Sequence, residues 1–217
     1  MNKMEIKKLI IFFLKEVSKP LGRTELMKYV YLFEYYYYQK YKKQYTNLVF
    51  NRYKFGPNHS EVIEAIDDLA AEGIINVNAY ENYYGSISYS HTLNFNDFSD
   101  IPQYDLADKE REVASYIADK LRNKNYRGVL SEAYNTPPMK EILEEERKSG
   151  LHFYGRVIDM SKSKPIFKSS RQARKLARDR LSSQQQSRGS DDDYYAHLLE
   201  QYRNYEDTRR RVNFVRN

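Results

Sequence analysis

Side chains able to do chemistry are few and far apart in this chain of 217 residues. Its four histidines, His59, His91, His152 and His197, are scattered, with none at metal-ligand spacing from another. Metal sites instead cluster histidine with carboxylates or thiolates. Cysteine is absent, which excludes disulfides, thiolate metal sites and a cysteine nucleophile, and suits a reducing cytosol. The acidic runs Asp67-Asp68 and Glu144–Glu146 fall on helix faces expected to be solvated, and a catalytic acid needs burial to shift its pKa. There is no glycine-rich phosphate loop and no nucleophile elbow, since Gly85-Ser86 lies in a predicted hairpin. The sequence therefore predicts no enzyme, no cofactor and no metal; an enzyme with an unrecognised site stays as the last alternative, because distant residues can meet in a fold.

What the chain does offer is contact chemistry. Tyr29, Tyr31, Tyr35–Tyr38, Tyr41 and Tyr45 put eight tyrosines in seventeen residues. Tyrosine can pack a core with its hydroxyl reaching water or backbone. It also gives large, rigid contact at low entropy cost, which would make Tyr31, Tyr35 and Tyr38 an exposed partner-binding stripe. The net charge of +6 is concentrated: residues 162–181 hold eight Lys or Arg against one acid, Asp179. Residues 1–161 hold 22 basic and 23 acidic groups, and residues 182–217 six of each. Arg171, Arg174, Lys175 and Arg178 in that basic segment are candidate docking residues for an acidic protein or a phosphate backbone, against a plain solubilising tail.

The elements that would position these residues follow from periodicity. Ile6, Leu9, Ile10, Phe13, Leu14 and Val17 recur at helical spacing, and Pro20 and Gly22 end that helix. Its run Leu9–Leu14 is too short for a signal core and is followed by Lys15 and Glu16, so no leader is expected. No segment approaches the ~18 apolar residues of a membrane span. A second helix, capped by Thr24 and running to about Lys40, carries apolar stripes on two faces, as a central helix does. Leu48, Phe50 and Arg52 alternate with Val49, Asn51 and Tyr53 as a short strand, which Gly56-Pro57 breaks. Asn58, with Glu61 three residues on, predicts the cap of a third helix ending at Gly73. Ile74, Ile75 and Val77, then Ile87, Tyr89, His91 and Leu93, predict a hairpin.

Beyond a connector at 94–105, helices are predicted over about 106–123, around Val129–Ala133, and from Met139 to near Gly150, with Asn135-Thr136-Pro137-Pro138 between the last two. In the tail, residues 170–181 predict a basic amphipathic helix and residues 182–190 a polar linker. Residues 192–211 predict a better helix, with Tyr195, Leu198, Leu199 and Tyr202 on one side as candidate partner contacts. The fold class is thus mostly α with a small β-hairpin: a winged-helix-like core plus additional C-terminal helices, with a body at 1–150 and a basic, partly flexible tail at 151–217. Helix 59–72 carries Glu61, Glu64, Asp67, Asp68 and Glu72 and no Lys or Arg, which disfavours major-groove binding by such a core.

Leu26-Met27-Lys28-Tyr29, the run Phe50-Asn51-Arg52-Tyr53-Lys54-Phe55-Gly56-Pro57 and the exit from Leu69 to Ile74 fall in one stretch. Through these residues the stretch from Leu26 to Ile75 resembles the Panacea domain, the SocA-like antitoxin domain. Leu130 to Pro138 looks like a later family region but lacks its histidine and tryptophan, with Asn135 and Met139 nearby. The resemblance spans about residues 4–149. It implies a cytoplasmic antitoxin that neutralises a cognate toxin by direct contact, or an adaptor presenting it to a protease, encoded on a bacterial chromosome, prophage or plasmid. A DNA-binding regulator using the wing and the basic segment is the alternative. The motif Tyr53, Lys54, Phe55, Gly56 and Pro57 is expected to act mainly as the turn that places the third helix against the tyrosine helix.

Overall fold

The computed structural model describes residues 2–81, 85–94 and 104–162, together with Lys175, Arg178–Arg180 and Glu200. The chain divides into two units, Met1–Pro165 and Ile166–Asn217. In the second unit Lys175, Arg178–Arg180 and Glu200 are helical and exposed. The first unit is mostly helical with small antiparallel sheets, an α+β arrangement. Among the described residues, no helix is long and apolar enough to cross a membrane.

Helix α1 (Asn2–Val17) buries the whole predicted stripe, from Ile6 to Val17. Strand β1 (Leu21–Gly22) follows at once, and α2 (Arg23–Tyr41) starts two residues earlier than a Thr24 cap would allow. The cap is Gly22, because Glu25 Oε2 reaches back to accept its N–H at 2.9 Å. Eleven residues of α2 between Leu26 and Tyr37 are buried, so the helix is covered on nearly every side. At its end the buried carboxylate of Glu34 gathers the following loop, accepting from Thr46 N–H at 2.8 Å, Thr46 Oγ1 at 2.6 Å and Tyr45 N–H at 3.0 Å. Burial raises the pKa of this carboxyl against the pull of those bonds.

Gly56-Pro57 does not end strand structure. Strands β2 (Asn51–Tyr53) and β3 (Gly56–Asn58) form an antiparallel hairpin, with Lys54 and Phe55 at its tip. Asn58 is taken by pairing with Asn51, so the cap of α3 (Ser60–Ala71) passes to His59, whose Nδ1 accepts from Glu61 N–H at 3.2 Å. Helix α3 buries Val62, Ala65, Ile66 and Leu69, with Ile63 and Ala70 partly buried. Its end is as predicted: Gly73 has φ 71°, Ile74 N–H reaches Leu69 O, and Gly73 N–H reaches Ala70 O, both at 3.0 Å. Strands β4 (Ile75–Glu81) and β5 (Ile87–Leu93) pair over seven residues, and β1 adds to β5, giving the order β1-β5-β4.

Helices α4 (Asp108–Leu121), α5 (Tyr126–Tyr134) and α6 (Pro137–Ser149) pack on this body. Prolines at the first turn of α6 need no N–H partner there, and Gly150 closes the helix at φ 71°. The first unit continues beyond residue 150, because residues 155–158 pair with Phe50–Arg52 and a 3-10 turn follows at Met160–Lys162.

Candidate partner-binding face at the hairpin

The inner side of the β2–β3 hairpin is anchored by charge. Arg52 and Glu146 are both buried, and Arg52 Nε and Nη2 each lie 3.1 Å from a different carboxylate oxygen of Glu146. Glu146 Oε1 also accepts from Phe153 N–H at 2.9 Å. Burial alone would raise the Glu146 pKa; the Arg52 bonds and the Phe153 N–H outweigh it and hold the carboxyl below its ordinary range. The guanidinium also lies 5.8 Å from the Tyr134 ring centre and 5.4 Å from that of Tyr154.

From α2, Lys28 Nζ donates to Pro57 O at 2.6 Å. Lys28 is buried, and desolvation, helped by the nearby Arg52 charge, lowers its pKa to about 7. Gly56 has φ 88°, and a Cβ there would stand 3.2 Å from Tyr134 Cζ. That backbone angle and that close approach both call for glycine. Phe50 completes the anchor against Tyr31, ring centres 5.3 Å apart and nearly perpendicular.

The outer side is different. Val49, Tyr53, Phe55, Tyr154 and Val157 are each about half exposed. The Tyr154 ring stacks on His152 at 5.3 Å and 12°, and lies 6.2 Å from Tyr53. Residues 155–158 are held beside β2 by Arg52 N–H to Arg156 O (2.7 Å), Gly155 N–H to Arg52 O (2.8 Å) and Ile158 N–H to Phe50 O (2.8 Å). A groove lined by Tyr38, Gln44, Leu48, Val49, Val157 and Met160 adjoins this strip. Exposed aromatic and aliphatic side chains on a fixed backbone are chemistry for protein contact.

A family model described as "Antitoxin SocA-like, Panacea domain" matches residues 26–138. The chain belongs to this antitoxin family. No curated protein and no solved structure matches it. The antitoxin-family match includes the hairpin and Tyr134, whereas Glu146 and residues 151–158, which complete its anchor and outer face, follow the match.

The residues expected to bind are distributed unevenly over this antitoxin-family body. Tyr31 and Tyr35 are fully buried and present no surface. Tyr31 pairs its hydroxyl with Thr136 Oγ1 at 2.7 Å, and the Tyr35 hydroxyl has no hydrogen-bond partner among the described residues. Helix α2 is enclosed on too many sides for a tyrosine stripe to remain open. Tyr38 is half-buried and lines the groove. Within the motif, Gly56 and Pro57 are buried while Tyr53, Lys54 and Phe55 are exposed. Lys175 and Arg178 are exposed; Arg171, Arg174, Tyr195, Leu198, Leu199 and Tyr202 lie outside the described residues.

Of the histidines, His59 caps α3, His152 stacks on Tyr154, His91 holds Leu21 O at 2.9 Å, and His197 lies outside the described residues. Sequence reasoning missed Tyr154 and Val157. The alternation of Val49, Asn51 and Tyr53 was the available signal for the outer face.

Proposed function

We propose that this protein neutralises a cognate toxin by direct contact, through the outer face of the hairpin. The observation that carries the reading is the division of one short motif: Gly56 and Pro57 turn inward while Tyr53 and Phe55 stand half exposed. Aromatic side chains on a pre-organised backbone are the residues that dominate protein interfaces. Membership of an antitoxin family supports a toxin as the partner. In this reading the protein is a non-enzymatic, cytoplasmic member of a bacterial or prophage toxin–antitoxin pair. Arg171, Arg174, Lys175 and Arg178 and the segment carrying Tyr195, Leu198, Leu199 and Tyr202 add contacts from the tail.

Co-expression with the product of the adjacent gene tests this. Growth should be rescued by the wild type and lost with a Tyr53→Ala/Phe55→Ala variant that still accumulates folded. A neighbour that is harmless alone, or that stays toxic beside the wild-type protein, rules the reading out. Toxin that disappears from the cell rather than accumulating as a complex marks the adaptor route to a protease.

The strand order β1-β5-β4 with α3 ahead of the β4–β5 hairpin supports a winged-helix-like core, the feature that favours DNA as a second reading. Charge weighs against it. Asp67 and Asp68 of α3 pair with Arg23, Lys3 and Lys7, and Glu64 pairs with Lys3, so that face already draws in the body's own cations.

A further inference from the structure

A cavity of about 120 Å³ lies where α2, the β2–β3 hairpin and α3 meet. Arg23, Met27 and Lys28 line it from α2, Gly56 and Asn58 from the hairpin, and Ile63 from α3. The Lys28 amine stands at its wall: Nζ donates to Pro57 O at 2.6 Å, and the residues on either side of Pro57 both line the cavity. Lys28 is 2% exposed, and burial, followed by the Arg52 charge, lowers its pKa to about 7. Among the charged groups around it, Arg52 of β2 is tied to Glu146 of α6, and Arg23 of α2 to Asp67 of α3. Neither carboxylate is left to hold Lys28 as an ammonium. A neutral amine that donates one N–H to Pro57 O keeps its lone pair free. Desolvation and a neighbouring cation are the conditions that turn lysine into a nucleophile. Arg23, on the same cavity, has an unused donor: its Nε is buried without a partner among the described residues, while Nη2 binds Asp67 at 2.7 Å. An unused buried donor favours a guest that carries an oxygen.

We propose that Lys28 is a covalent site for a short aldehyde, which enters this cavity and condenses with the side-chain amine to an imine. The amine lone pair attacks the carbonyl carbon, and the unused Arg23 Nε–H is the donor available to the oxygen as charge develops there. That oxygen leaves as water with the two amine hydrogens, and a C=N bond replaces C=O and the two N–H bonds. Nothing is oxidised or reduced, and no proton is left over. Once protonated, the imine keeps one N–H for Pro57 O. Size selects the guest: a cavity of ~150 Å³ takes benzene, so this smaller one takes about five non-hydrogen atoms. The site needs no toxin and goes beyond the toxin-binding reading.

Reductive trapping of the full chain with propanal and cyanoborohydride at pH 7, read by peptide mapping, tests this. Lys28 should gain the propyl group at least about tenfold faster than the exposed Lys54. Naphthaldehyde, too large for the cavity, should show no such preference for Lys28. Ile63→Phe, which fills the cavity and leaves the amine in place, should remove most of the advantage with propanal while Lys54 is labelled as before. Labelling of Lys28 no faster than that of Lys54 overturns the proposal. So does an undiminished preference with naphthaldehyde on the wild type, or with propanal on folded Ile63→Phe, because the amine is then reached without the cavity. Each of these results leaves toxin binding untouched.

Discussion

Arg52 and Glu146 meet across the first unit as a buried bidentate pair, 94 residues apart in sequence and 3.1 Å apart at both contacts. The pair ties β2 to α6, and through Phe153 N–H it also fixes the chain that returns beside β2. Removing one partner leaves an uncompensated buried charge, whereas removing both leaves an apolar gap. Glu146→Gln should destabilise the protein by about 3–5 kcal/mol in urea unfolding, and Arg52→Met/Glu146→Met by less than either single change. The contribution of Glu146 should be present above pH 4.5, its unfolded value, and be lost as pH falls through its lowered folded value.

Gly56 supplies a second check. A side chain there must adopt the left-handed region, at about 1–2 kcal/mol, and must also press on the Tyr134 ring. Gly56→Ala should therefore lower stability by at least that amount. Combining it with Tyr134→Ala should recover the part due to the ring and none of the part due to φ, as a double-mutant cycle would read out.

Lys28 makes stability depend on alkaline pH in an unusual direction. Its amine titrates near 7 when folded and near 10.5 when unfolded. Between those values the unfolded chain holds a proton that the folded chain has released, so this group makes stability rise with pH, by up to ~1.4 kcal/mol per unit. Below pH 7 the full penalty of a buried charge is present. Unfolding at pH 6.5 and pH 9 should show wild type gaining on Lys28→Met as the pH rises; a gap that does not change removes the buried amine as its source.

His91 acts at the acid end. Burial lowers its pKa, partly countered by its bond to Leu21 O, with Arg23 lowering it further and Asp67 raising it. Its Nε2 is buried without a partner among the described residues, so protonation would place a charge there unrelieved. The unfolded chain binds a proton first, at about 6.5. Stability should therefore fall as pH drops below 6.5 and through the folded value, and His91→Phe should flatten that fall in thermal unfolding between pH 7 and 5.

These residues also mark how far the sequence could be read. The stripe of α1, the enclosure of α2 and the Gly73 exit of α3 all follow from local spacing, and the structure holds each of them. The alternation of Leu48, Phe50 and Arg52 with Val49, Asn51 and Tyr53 gave the two faces of β2 correctly. The Asn58 cap failed because strand pairing with Asn51 competes for the same residue. Tyrosine type alone could not separate core from surface at Tyr31 and Tyr35, which depends on how many neighbours enclose α2. The outer face was illegible because it needs residues 155–158 beside Phe50–Arg52, a pairing set by long-range contacts in a segment without a strong period.

In the proposed toxin-binding role, the half-exposed Tyr53 and Phe55 make the contact and the buried tyrosines of α2 do not. Titration calorimetry of the wild-type chain and of Tyr53→Ala and Phe55→Ala against the product of the adjacent gene reads this out, with circular dichroism confirming the fold. The account predicts a loss of about 2 kcal/mol or more for each substitution, with melting temperatures unchanged. Wild-type affinity in both folded variants would contradict it.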